Sequence, residues 1–105
     1  MKSVIPGDRP NECFICGRWG TETHHIFGAS DRDASERYGL KVNLCENHHR
    51  GTYGAHGREG KGLQEFLHQT GQETIEDIWK REGTENPREK FRQIFRRSYL
   101  EDDKD

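Results

Sequence analysis

Eight of the nine soft metal-ligand side chains, counting three Cys and six His, fall between Cys13 and His56; only His68 lies outside. Three cysteines cannot all pair as disulfides within one chain. In the reducing cytoplasm expected here, clustered Cys and His read as metal ligands rather than as disulfide partners. The 105 residues make one small domain, and only 29% of them are hydrophobic. A chain of this size buries a limited share of its surface and leans on a staple. A metal-stapled domain is therefore the expectation.

The first half-site is Cys13-x-x-Cys16-Gly17, two thiolates on a tight turn followed by a glycine. The second is Cys45-x-x-His48, after 28 intervening residues. Three thiolates and one imidazole make a closed tetrahedral set suited to zinc. His49, the next residue, stands as an alternative fourth ligand. The other histidines are not used by this set. On a strand, neighbours point to opposite faces, so His24-His25 can aim one imidazole at a metal and the other at a substrate. Closing the Cys/His set brings this pair towards His48 and His49.

Composition divides the chain. Residues 1–10 are polar and read as a flexible arm. Residues 11–62 are rich in Gly, His and Cys, with strands expected at 23–27 and 41–44, a short helix at 33–38 and a loop at 50–62. Tyr38 and Leu40 are expected under the hairpin, and Phe14 and Trp19 over the Cys turn. From residue 63 to 100 the spacing of Leu63, Phe66, Leu67, Ile75, Ile78 and Trp79 predicts an amphipathic helix, weakened at Gly71 and stopped at Gly83-Thr84. A second helix starts at Asn86 (cap), Pro87 and Glu89 and carries Phe91, Ile94, Phe95 and Tyr99. His68 reads as an ordinary helical residue. Residues 101–105 read as a frayed acidic tail.

Net charge is −2, which excludes a strongly basic coat but not a local patch. Arg88, Arg92, Arg96 and Arg97 are candidates for a stripe facing phosphate. Arg18, Arg32, Arg37, Arg50 and Arg58 flank the histidine region and are candidate nucleic-acid contacts. No apolar run reaches membrane-span length, and residues 1–10 hold no signal-type apolar segment.

Cys13-x-x-Cys16, His24-His25-Ile26 and Leu44-Cys45-x-x-His48-His49 together resemble the HNH endonucleases, with their ββα-metal (His-Me finger) core. His48 stands where that family usually has a second cysteine. Ser35-Glu36-Arg37-Tyr38-Gly39-Leu40, Gly54-Ala55-His56 and the segment from Phe95 to Leu100 look like small HNH-type proteins of bacteriophages and prophages. The resemblance implies an α+β fold: a zinc-stapled ββα-metal core followed by two C-terminal helices. It implies His25 as general base and His24, His49 and His56 as ligands of a catalytic Mg²⁺, Mn²⁺ or Ni²⁺, with structural Zn²⁺ on Cys13, Cys16, Cys45 and His48. It implies DNA as substrate, in a bacterial or phage-infected cytoplasm. The family's middle Asn is displaced to Asn43, two residues before Cys45, as the candidate orienting residue. The alternative is a catalytically degenerate zinc module that binds DNA or a phage or host protein.

Overall fold

The computed structural model describes residues 1–101, so the expected acidic tail lies outside the described residues but for Glu101. The order is β1 (Glu22–His25), a 3₁₀ turn (Ala29–Asp31), α1 (Arg32–Arg37), β2 (Lys41–Leu44), α2 (Glu46–Arg50), α3 (Lys61–Arg81) and α4 (Pro87–Phe95). This is an α+β fold with one two-stranded antiparallel sheet. Among the described residues, no helix is long and apolar enough to cross a membrane.

The strand register pairs Glu22 with Leu44, Thr23 with Asn43, His24 with Val42 and His25 with Lys41. Alternation therefore puts Glu22, His24, Val42 and Leu44 on one face and Thr23, His25, Lys41 and Asn43 on the other. β1 ends two residues before the position expected from its β-branched and aromatic run. Ile26 still donates to the Leu40 carbonyl (3.0 Å), but the Phe27 amide turns to the Ser35 hydroxyl (3.2 Å). That turn drives Phe27 into the core, where its ring meets Phe91, Phe95 and Tyr99.

α3 runs unbroken through Gly71. A Cβ there would lie 3.1 Å from both Ile26 Cγ2 and Phe27 Cε2. The absent side chain thus lets the helix seat on the hairpin end, and packing overrides the low helix propensity of glycine. Gly71→Ala is expected to destabilise. Its gain in propensity is about 1 kcal/mol, whereas overpacking a filled core costs about 1–3 kcal/mol. The thermal midpoint should fall by about 5 °C; an unchanged or higher midpoint would show that Ile26 and Phe27 give way freely.

The buried face of α3 is Leu67, Gly71, Gln72, Ile75 and Trp79. Phe66, counted in the apolar stripe from its sequence spacing, is instead half exposed, because the seated face follows the i, i+4 run from Leu67. Gln72 is fully buried and satisfied: its Nε2 donates to Glu76 (2.6 Å) and Ser98 (2.9 Å), and its Oε1 accepts from the Tyr99 amide (2.6 Å). It fastens the segment after α4 to α3. The helix stop at Gly83-Thr84 is a Schellman closure, with Thr84 and Gly83 donating to the Trp79 and Lys80 carbonyls. Asn86 caps α4 through the Glu89 amide, with Pro87 at its first position.

The segment 1–10, expected as a flexible arm, is fastened to the hairpin. Val4 donates to the Gly39 carbonyl, Ser3 Oγ to the Lys41 carbonyl (2.6 Å), and Ile5 is buried. Apolar Val4 and Ile5 supply the burial that the Pro and Gly content masks. The expected arginine stripe does not form as a free face. Arg88 pairs with Glu76 (2.8 Å), Arg96 with Asp31 (2.6 Å), Arg92 lies 3.7 Å from Glu89, and Arg97 covers the Tyr99 ring. Glu76 and Asp31, which lie before α4 in the chain, and Glu89 within it take up three of the four charges. Trp19 does not cover the Cys turn but is 72% exposed.

Candidate metal centres

The first centre gathers Cys13, Cys16, Cys45 and His48, whose donor atoms all lie within 4.8 Å of one another. Cys13 closes a tight turn with Gly17, whose amide donates to its carbonyl (2.8 Å). The hairpin end delivers Cys45, and α2 starts there, so His48 stands one helical turn on and faces the sulfurs. Its Nδ1 lies 3.3 Å from Cys45 Sγ and 3.6 Å from Cys13 Sγ, and Cys16 Sγ lies 3.8 Å from Cys45 Sγ. Of the two adjacent histidines, His48 meets the sulfurs and His49 does not.

The electrostatics suit a cation. Burial opposes ionisation of Cys13, but backbone donors around Cys45, Cys16 and Ile15 outweigh it and bring the thiol down to about 6. At Cys16 the Arg18 backbone favours the thiolate, yet desolvation and the neighbouring Cys13 and Cys45 sulfurs hold the thiol above its ordinary value. Thiolates so close repel one another unless a positive ion sits among them. These residues can hold one structural metal ion.

The second centre is His24, His49 and His56, again with one donor atom each within 4.8 Å. The rings stand 4.8 to 5.2 Å apart, centroid to centroid. His24 comes from the inward face of β1 and His49 from α2. His56 arrives by a loop that folds back over the helix end: the Ala55 and His56 amides donate to the His48 and His49 carbonyls (both 2.8 Å). This closes the wide seven-position gap between His49 and His56. Gly54 permits the fold-back, since a Cβ there would lie 2.7 Å from the Asn47 carbonyl oxygen.

His24 is 4% exposed, and its Nδ1 is buried without a hydrogen-bond partner. An unpaired buried polar atom is costly, and a metal ion would satisfy it. Burial, reinforced by His56 and His49, lowers His24 to about 3. It is therefore the neutral imidazole that a metal requires. Burial and His49 likewise lower His56.

His25 faces away from this centre. Its Nε2 bonds Glu36 Oε1 (2.8 Å), and Arg32 Nε lies 3.4 Å from its Nδ1. The N-terminal amine, His25 and Lys41 together hold the Glu36 carboxyl well below its usual range. Asn43 shares the outer face with His25, but its side chain donates to Asp8 Oδ2 (3.3 Å) and the Arg9 carbonyl (3.1 Å). Its amide group is therefore held by the 1–10 segment. Arg50 reaches Glu22 (3.2 Å), while Arg18, Arg37 and Arg58 are exposed around the core. His68 stacks between Phe27 and Tyr99.

Sequence inspection missed two acids. Glu36 holds His25, and Glu22 Oε1 bonds His49 Nδ1 (2.8 Å). The period-two alternation of Glu22 and His24 was the available signal for the second.

Compared with known proteins, the chain matches no family model, no curated protein and no solved structure. Any family assignment therefore rests on its motif residues and their geometry.

Proposed function

We propose that the protein is a metal-dependent HNH-type endonuclease that hydrolyses DNA phosphodiester bonds. The observation that carries the proposal is the His24, His49 and His56 cluster with its orphaned His24 Nδ1, one residue from His25. The succession of β1, β2 and α2, stapled by Cys13, Cys16, Cys45 and His48, fits the ββα-metal core that the motifs resemble. We assign Zn²⁺ to that closed sulfur-rich set on ligand chemistry; it supports the site and takes no part in chemistry.

The catalytic work falls to the chain's own groups. Glu36 accepts the Nε2–H of His25 and so leaves the lone pair on Nδ1, which accepts a long hydrogen bond from Arg32 Nε (3.4 Å). When Arg32 swings onto a phosphate oxygen, that lone pair can take a proton from water. Imidazole exchanges protons near neutral pH, which suits a base. Arg32, beside that nitrogen, offers a charge-assisted donor to a phosphate oxygen. Held by His24, His49 and His56, a Mg²⁺, Mn²⁺ or Ni²⁺ ion would supply charge stabilisation to the phosphate and the leaving 3′ oxygen. The N-terminal amine and Lys41 hold Glu36 in place beside His25.

A second proposal is a non-catalytic zinc module that binds DNA or a phage or host protein. It is favoured by the Asn43 amide being tied to Asp8 and Arg9. Nicking of supercoiled plasmid in Mg²⁺, Mn²⁺ and Ni²⁺ separates the two. Conversion to open circles with at least one ion is expected; intact plasmid with all three would sink the nuclease proposal.

A further inference from the structure

We propose that Glu22 is the positioning residue of the three-histidine centre, fixing which nitrogen His49 presents to the ion. This rests on the metal-binding role proposed above for His24, His49 and His56. His49 has two ring nitrogens, and only one can face the cluster. Its Nδ1 is already engaged by Glu22 Oε1 at 2.8 Å. A carboxylate accepts and cannot donate, so Nδ1 carries the proton and Nε2 carries the lone pair. That leaves Nε2 as the nitrogen free to face His24 and His56. His24, in the same cluster, keeps a buried Nδ1 with no hydrogen-bond partner.

The backbone explains why Glu22 can do this. Glu22 and His24 are two apart on β1, so both project from the face that meets α2. Arg50, next to His49 on α2, reaches the same Glu22 oxygen at 3.2 Å. Glu22 is thus steered from the helix that carries its histidine. His49 is almost fully buried whereas Glu22 is about half exposed. The carboxylate therefore holds the ring from the solvent side and does not itself enter the centre. Carboxylate–histidine–metal relays of this kind set ring orientation and tautomer, and their loss weakens metal binding about 10–100-fold.

The test uses protein whose sulfur site carries one zinc, titrated with Ni²⁺ in a calorimeter. Wild type is expected to bind one further ion, and Glu22→Ala to bind it about 10–100-fold more weakly. Glu22→Gln loses the charge but keeps an acceptor oxygen, so it should recover most of that loss. Side-chain nitrogen NMR without added Ni²⁺ should show His49 as the Nδ1–H tautomer in wild type and Glu22→Gln, and a mixture in Glu22→Ala. If Glu22→Gln binds as weakly as Glu22→Ala, the effect is bulk charge and positioning is overturned. An unchanged His49 tautomer in Glu22→Ala overturns it as well. If wild type takes up no second ion, the three-histidine metal site falls and the positioning role with it. If wild type binds and Glu22→Ala binds equally, only the role of Glu22 falls.

Discussion

Cys45→Ser is expected to abolish the soluble folded protein. Cys45 is buried at the junction of β2 and α2 and lies within reach of both Cys16 and His48. Its loss removes one metal ligand and frees the start of the helix that carries His48 and His49. A structural zinc contributes about 10–16 kcal/mol of apparent folding free energy in small zinc-dependent domains. A domain's whole stability is about 5–15 kcal/mol, so losing the ion is comparable to losing the fold. The remaining apolar contacts of residues 11–62 centre on Ile26, Phe27, Leu40, Val42 and Leu44, and these also depend on the hairpin. Zinc content and far-UV circular dichroism of the variant check this. A folded, zinc-free Cys45→Ser protein would show that the sulfur cluster is not a staple.

His25→Ala is expected to slow plasmid nicking by at least about 100-fold, the lower end of what a positioned general base contributes. The fold should survive. Glu36 keeps Lys41 at 2.9 Å, and His25 lies on the outer face of the ribbon, away from the buried Val42 and Leu44. Metal content should also be unchanged, because none of the seven donors clustered for metal is His25. The rate loss with intact metal content distinguishes a base from a ligand. Nicking by His25→Ala at the wild-type rate would remove His25 from the chemistry.

Much of this was legible in the sequence because ligand chemistry leaves short-range patterns. The C-x₂-C and C-x₂-H spacings identified the sulfur cluster, and strand alternation put His24 and His25 on opposite faces of the hairpin. The helix signals around Asn86-Pro87 and Gly83-Thr84 are local, and both proved to be caps. What was not legible depends on long-range contacts. Nothing near Ile5 reveals that it buries against the hairpin, nor does anything near Asn43 reveal Asp8 as its partner. The choice between His48 and His49 required the helix starting at Cys45, five residues too short to show a period. The place of His56 required the fold-back at Gly54. The pairing of Arg96 and Arg88 was not legible because Asp31 and Glu76 lie outside α4, whereas the neighbours of Arg92 and Arg97, Glu89 and Tyr99, are local.

The central claim is that one small chain holds two metal ions with different duties, a buried staple and an exchangeable ion for chemistry. Native mass spectrometry of the protein, with zinc bound and Ni²⁺ or Mn²⁺ added, tests this most directly. The account predicts two ions per chain, with the second absent from a His24→Ala, His49→Ala double variant that keeps its zinc. A single zinc per chain under all conditions, unchanged in that variant, would contradict it.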